Sequence, residues 1–255
     1  MKRLFFDIET SPNIVFCWSA GYKINIGYEN ILKERAIICI CWKWEGDDQV
    51  YSLEWNKGDD KKMVLEFYKV FISADEIVGH NGDNFDIKWF RTRCLIHGIK
   101  SMPPVVTHDT LSIARSRFRF NSNRLDYIGQ YLGFGGKIKT EFDMWKAICL
   151  NNDKDAMDKM VKYCKQDVVL LEKIFNKLTG FGMVKSHAGV MEGGEKHHCP
   201  QCASPNTIYK GVRVTAFGIK RFRMTCKDCK RFFTVSSRTY SDYIQEKINE
   251  KSLKG

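Results

Sequence analysis

"LFFDIETSP", residues 4–12, runs from three apolar residues into an acidic pair and stops at Pro12. The apolar run is typical of a buried β-strand. Side chains two apart on a strand point to the same face, so Asp7 and Glu9 project together. Such a pair predicts either a solvated strand end or a site that needs both acids, and further carboxylates later in the chain would favour the site.

The order of the predicted elements indicates an α/β protein. Strands are predicted first, at residues 3–9, 35–44 and 49–55, and helices then alternate with strands, including a helix over 153–178. This succession predicts a mixed sheet with helices packed against it. The chain has 255 residues, enough for one substantial domain and a small second one.

The charge of the chain is unevenly distributed. The formal net charge is +11, and from residue 187 onward 13 Lys and Arg stand against 6 Asp and Glu, a net charge of +7. A clustered positive charge favours a polyanionic partner, with nucleic acid as the first candidate and solubility alone as the alternative. No long apolar run and no signal-peptide pattern is present, so we expect a cytoplasmic protein with no membrane partner.

Further polar residues border apolar segments later in the chain. Asp86 follows a predicted strand at 76–80 and opens the next helix, whereas Tyr163 and Asp167 lie four apart and so share a helix face. Each alone is more typical of structure, as a first-turn acid favoured by the helix dipole or as a half-buried pair on an amphipathic helix. Together with Asp7 and Glu9, they could converge at one edge of the sheet.

The segments "FDIET", "HNGDNFD" and "YCKQD" together resemble the DEDD superfamily of 3′–5′ exonucleases, over roughly residues 3–178. The resemblance implies a ribonuclease H-like fold, and Tyr163 resembles the residue of the tyrosine-containing subgroup. It implies Asp86 rather than Asp83 as the third acid, because Asp86 follows Phe85 as in the family pattern. The implied ligands of two Mg²⁺ or Mn²⁺ ions are Asp7, Glu9, Asp86 and Asp167.

The chemistry of such a cluster agrees with this resemblance. Packed carboxylates repel each other unless cations lie between them, and hard divalent cations prefer oxygen ligands. Two such ions can clamp the attacking and leaving oxygens of a phosphodiester. By resemblance Tyr163 would orient the attacking water. Thr10 and Asn81 are candidate contacts to nucleic acid, with capping of the local turn and fixing of the loop backbone as the respective alternatives.

Two Cys-x-x-Cys pairs near the C-terminus, Cys199 with Cys202 and Cys226 with Cys229, predict a structural Zn²⁺ ion held by four thiolates. The arrangement resembles a zinc ribbon. The strand around "IKRFRMTC" would place Arg221 and Arg223 on one face, and together with Lys220 we expect them to contact nucleic acid. The other six cysteines are interpreted as ordinary buried thiols: Cys17, Cys39, Cys41, Cys94, Cys149 and Cys164.

The predicted domains are an exonuclease domain (1–180), a linker (181–196), a zinc ribbon (197–236) and a polar tail (237–255). The predicted function is metal-dependent 3′–5′ hydrolysis of nucleic acid by a two-metal mechanism, preferentially on single-stranded DNA, with RNA as the other substrate. A separate polymerase or another replication or repair protein is a candidate partner. The alternatives are an adaptor that binds nucleic acid through an inactive nuclease domain, and a structure-specific or RNA-directed nuclease.

Overall fold

The computed structural model describes residues 1–19, 21, 24–136 and 140–252. This part of the chain divides into two compact units, Lys2–Phe181 and Gly182–Gly255, and the second also includes Met1. The last three residues of the predicted polar tail, 253–255, lie outside the described residues. None of the described helices combines the length and apolarity that a bilayer crossing requires.

The first unit contains strands and helices in alternation after an initial group of strands. They are β1 (Arg3–Thr10), β2 (Ile14–Val15), β3 (Ile31–Lys33), β4 (Ile37–Trp44), β5 (Tyr51–Glu54), α1 (Lys61–Phe71), β6 (Glu76–Gly79), α2 (Asp86–Ile96), β7 (Val106–Asp109), α3 (Thr110–Arg117), α4 (Leu125–Tyr131), α5 (Phe142–Asn151) and α6 (Lys154–Leu178).

The main sheet of the described first unit has the strand order β5-β4-β1-β6-β7. β4 pairs antiparallel with both β1 and β5, whereas β6 runs parallel to both β1 and β7. The first strand of the chain therefore lies in the middle of the sheet, where the antiparallel and parallel halves meet. This mixed sheet with flanking helices confirms the predicted α/β architecture.

Helices cover both faces of the sheet, and β1 shows which residues face which layer. The Phe6 ring lies 5.5 Å from that of Phe67 on α1. The Phe5 ring lies 5.5 Å from that of Phe175 on α6. Because side chains alternate along a strand, Asp7 must share the α6 face with Phe5. α6 packs there through a stripe of buried residues at helical spacing, and Asp153 caps its first turn by accepting from the Ala156 amide at 2.9 Å.

The connection between β1 and β4 contains a small antiparallel pair, β2 with β3, that the sequence analysis does not predict. These strands have two and three residues, too few to show an alternating pattern. The described part of the connection also exposes large aromatic side chains, including Phe16 and Trp18. No local apolar pattern therefore predicts the pairing of β2 with β3.

The second unit consists of α7 (Ala188–Met191), β8 (Thr207–Val214), β9 (Lys220–Cys226), β10 (Phe232–Val235) and α8 (Ser237–Ser252). Its described strands form an antiparallel sheet in the order β10-β9-β8. α8 covers one face, where the Tyr240 ring stacks on Phe222 at 4.1 Å and Met224 is fully buried. The segment predicted as a linker contains α7, and the segment predicted as a polar tail contains α8.

Candidate metal centres

The described structure brings three of the predicted acids together. Asp7 and Glu9 project from β1 toward α6, and both are half-buried. Asp167 lies on α6 and is only 1% exposed. One carboxylate oxygen from each of the three lies within 4.8 Å of the others. Oxygen ligands of one Mg²⁺ ion lie about 3 to 4 Å apart, so this donor set fits a hard divalent cation.

Asp86, the first residue of α2, contacts the same strand, β1. Its carboxylate accepts a hydrogen bond from the amide of Ile8, the residue between Asp7 and Glu9, at 3.1 Å, and the side chain is 2% exposed. Asp86 is not a member of the group with oxygens within 4.8 Å of one another. Asp83, by contrast, is exposed. The structure thus attaches Asp86 to the acidic strand through the backbone.

The turn before α2 places Asp86 beside Ile8 of β1. A side chain at Gly79 would come within 2.9 Å of the Cα atom of Gly82, so the strand end and the loop can approach this closely only with glycine. Asn81 between them adopts a left-handed conformation with φ of 66°, and its amide donates to Asp109 at 2.9 Å. This tight reversal directs the first turn of α2 back toward β1.

Tyr163 lies one turn before Asp167 on α6 and is half-buried. The spacing of four residues places both side chains on one face of the helix. The helix thus carries the phenol and the buried acid toward the same region, while the neighbouring Cys164 is fully buried.

Thr10 and Asn81, the predicted nucleic-acid contacts of this domain, lie in different surroundings. The Thr10 hydroxyl accepts from Arg35 at 3.0 Å, and its carbonyl accepts from the Trp145 indole at 3.1 Å. Asn81 lines an open pocket of about 620 Å³ next to His80. The Thr10 contacts fix the end of β1, whereas Asn81 faces a volume that a ligand could enter.

The same pocket contains functional candidates that the sequence analysis missed. Arg115 and Arg124 line it, and both are exposed. They belong to "RSRFRFNSNR", residues 115–124, where arginine alternates with aromatic residues. That interleaving of charge and aromatic rings was the available signal for a nucleic-acid contact. The pocket therefore adds positive charge to the unit that carries the acidic cluster.

In the second unit, the two Cys-x-x-Cys pairs converge. The sulfurs of Cys199 and Cys229 lie 3.5 Å apart, and those of Cys202 and Cys226 lie 3.7 Å apart. All four sulfurs lie within 4.8 Å of one another. Sulfur ligands around a tetrahedral Zn²⁺ ion lie about 3.8 Å apart, so the four thiols could hold zinc.

Two basic residues of β9, Arg221 and Arg223, lie on the sheet face opposite α8. Arg221 and Arg223 are exposed, while Phe222 between them packs against Tyr240. Arg213 is directly opposite Arg221 on β8 and is also exposed, so it extends the same row. The position of Arg213 beside Arg221 depends on the register between β8 and β9. Lys220 is exposed at the start of β9.

Comparison with known proteins bears on the first unit. A family of the RNase H superfamily matches residues 32–179 in sequence. A family B DNA polymerase from the hyperthermophilic archaeon Pyrobaculum calidifontis is similar in structure, with a TM-score of 0.54 and 17% identity. The match covers 70% of this chain and 24% of the polymerase, so this chain spans about a quarter of that protein.

No curated protein matches this sequence. The likeness to the polymerase, at 17% identity, shows the fold alone. The family match covers more than half of the chain, and it supports a nuclease-type function. On the sequence match and the mixed sheet with β1 at its centre, the chain belongs to the RNase H superfamily.

Proposed function

We propose that this chain is a metal-dependent 3′–5′ exonuclease of the DEDD type, tyrosine-containing subgroup, acting preferentially on single-stranded DNA. One observation carries the proposal: the oxygens of Asp7, Glu9 and Asp167 lie within 4.8 Å of one another, although 158 positions separate Glu9 from Asp167. Packing three acids this closely is unfavourable unless cations neutralise them. Binding of cations is the function that best explains their convergence.

The residues have distinct roles in this proposal. Asp7, Glu9 and Asp167 hold divalent metal, and Asp86 contributes from its place beside Ile8. When bound, two metal ions would activate a water and neutralise charge on the leaving oxygen. Tyr163 orients the attacking water with its hydroxyl, since an ordinary tyrosine is a poor base near neutral pH. Asn81, which lines the open pocket, and Thr10, at the end of β1, would contact the nucleic acid.

The proposed direction of cleavage rests on the resemblance of the acidic motifs to the DEDD exonucleases, and DNA is the preferred substrate within this proposal. The pocket with Arg115 and Arg124 supports a polyanionic substrate, because guanidinium groups bind phosphate and stack on bases. RNA remains the alternative substrate on the same fold.

We further propose that the second unit is a zinc ribbon that binds the nucleic acid strand. The four sulfurs fit tetrahedral Zn²⁺. Arg213, Arg221 and Arg223 form a row on the uncovered sheet face, which would contact phosphates. Lys220 adds to this charge. A separate polymerase or repair protein would supply the substrate in the cytoplasm.

The test is hydrolysis of 3′-labelled, 5′-labelled and circular single-stranded DNA and RNA, with and without Mg²⁺ or Mn²⁺. A 3′–5′ exonuclease releases a 3′ label first and leaves the circle intact. We expect Asp7→Ala to lower the rate at least about 1,000-fold, because the variant lacks a metal ligand. Asp143→Ala, an exposed acid on α5, is the matched control and should retain activity.

Three results would contradict the proposal. Full activity of Asp7→Ala would show that Asp7 does not belong to the active site. Cleavage of the circle would identify an endonuclease. Binding of DNA without hydrolysis under every metal condition would identify an adaptor with an inactive nuclease domain.

A further inference from the structure

Three buried cysteines lie directly beside the acidic cluster, and the proposed function does not use them. Cys39 and Cys41 are on β4, Cys164 is on α6, and each is fully buried. Their sulfurs lie within 4.8 Å of one another and are in mutual hydrogen-bond contact. By sequence alone they are predicted to be ordinary buried thiols, because their convergence depends on how α6 packs on the sheet.

The strand register explains why thiols and acids meet. In the antiparallel pairing of β1 with β4, Asp7 is opposite Cys41 and Glu9 is opposite Cys39. Directly opposite residues present their side chains on the same face, about 5 Å apart at Cβ. Two acids and two thiols therefore form a rectangle on the face that α6 covers.

Cys164 connects the thiols to the acids. Its thiol donates to the Asp7 carbonyl at 3.5 Å and lies 3.6 Å from the carboxylate oxygen Oδ2 of the same residue. Asp7 is half-buried, whereas the thiols are not exposed at all. A cation would therefore reach the sulfurs through the acidic cluster, which attracts it from solvent.

We propose that Cys39, Cys41 and Cys164 bind one thiophilic cation, of the class of Zn²⁺ and Cd²⁺, with Asp7 as the fourth ligand. Three sulfurs and one carboxylate oxygen make a donor set that these ions accept in tetrahedral geometry. Asp7 is outside the 4.8 Å group of the three sulfurs but lies 3.6 Å from that of Cys164, so its carboxylate would move toward the other two to complete the set. Each ligating thiol releases its proton to solvent as the ion binds. This site is distinct from the four-cysteine cluster of the second unit.

The shared ligand gives the site a consequence, which rests on the proposed nuclease function. Asp7 cannot keep its full contribution to the hard-metal site while one of its oxygens ligates a soft ion. Occupancy of the thiol site should therefore inhibit hydrolysis. Because soft ligands select soft ions, Mg²⁺ would not compete effectively for the sulfurs.

The decisive experiment counts cadmium bound by the full chain. The protein is equilibrated with Cd²⁺ under a phosphine reductant, and bound metal is measured by mass spectrometry and by cadmium–thiolate absorption in the ultraviolet. We expect two thiolate-bound equivalents in the wild type and one in Cys164→Ala. Cys94→Ala is the matched control, since Cys94 is a buried cysteine of α2 outside both clusters. It should retain two.

A second variant tests the fourth ligand. Asp7→Asn should weaken the second cadmium equivalent at least about tenfold while leaving the first unchanged. Cys39→Ala repeats the count if Cys164→Ala does not fold, which thermal unfolding will show. A count of one cadmium equivalent in the wild type, or of two cadmium equivalents in both Cys164→Ala and Cys39→Ala, would overturn the proposal.

The inhibition is tested separately. Cadmium should slow Mg²⁺-dependent hydrolysis by the wild type and by Cys94→Ala, and a dithiol chelator should restore the rate. Cys164→Ala should be resistant to the same concentration. Equal sensitivity of Cys164→Ala would reject the link to Asp7. The cadmium count needs no nuclease activity, so a failure of the proposed function leaves that measurement intact.

Discussion

Asp167 is the residue that departs most clearly from its local pattern. α6 buries a stripe that is otherwise apolar apart from this acid, and Asp167 is 1% exposed within it. A buried carboxylate is costly unless a partner or a metal compensates it. This burial agrees with the proposed role of Asp167 as a metal ligand, one turn after Tyr163.

At the same scale, removal of one hydroxyl tests the role of Tyr163. We expect Tyr163→Phe to lower the hydrolysis rate about 10- to 100-fold with little change in stability, because a positioned hydroxyl contributes about that much or more. The measurement is the single-turnover rate at saturating Mg²⁺. Tyr68→Phe is the control, since the Tyr68 hydroxyl donates to the carbonyl of Ser101 at the surface. Equal rates of Tyr163→Phe and wild type would exclude Tyr163 from the reaction.

Asp60 connects three elements of the first unit: α1, α2 and β4. It lies at the start of α1, is fully buried, and accepts from the Ile37 amide of β4 at 3.0 Å. Arg93 of α2 donates two hydrogen bonds to it, each at 2.7 Å, and His97 contacts it at 2.7 Å. Burial alone would raise the pKa of Asp60, but the hydrogen bonds from Arg93, Ile37 and His97 lower it below its usual range.

Asp60→Asn should therefore lower the free energy of unfolding by about 3 kcal/mol, because Arg93 would lose a buried charged partner. Urea unfolding at neutral pH measures this, with Asp158→Asn, an exposed acid, as the control. Because the folded pKa is depressed, the contribution is fully present above the unfolded value near 4. It is lost as the pH falls toward the folded value, so wild type and variant should converge in acid. A difference that grows in acid would contradict this sign.

Over the whole molecule, the two units differ in how they reach stability. The first contains a large apolar core around the sheet. In the described part of the second, the buried apolar cluster comprises Met224, Val235 and Tyr243, with Phe222, Phe233 and Tyr240 packed against it. A core of this size rarely stabilises a domain alone, which is why small domains use metals or disulfides.

Removal of the proposed zinc ion should therefore unfold the second unit and spare the first. Hydrogen exchange after chelation should show loss of protection in β8–β10 and retained protection in β1, β4 and α6. Cys226→Ser should reproduce this pattern without a chelator, and Cys94→Ser should not. Persistent protection of β8–β10 in metal-free protein would show that zinc does not hold this unit together.

Local patterns in the chain were sufficient to predict much of this protein. Apolar runs predicted β1 and β4, and helical spacing predicted α6, because these signals depend on near neighbours. The spacing of Asp7 and Glu9, and of the cysteine pairs, likewise identified donors that must share a face or a knuckle. The short strands β2 and β3 carried no such signal, and their pairing became visible only in three dimensions.

By itself, the sequence determined the element types, the α/β class, and which acids and cysteines were candidates for metal binding. Only the tertiary structure decided the strand order, the attachment of Asp86 to the Ile8 amide, and the pocket that contains Arg115 and Arg124. It also decided that Cys164 meets Asp7. The physical reason is that periodicity records the surroundings of each residue along its own element, whereas these contacts depend on register and on helix packing between distant segments.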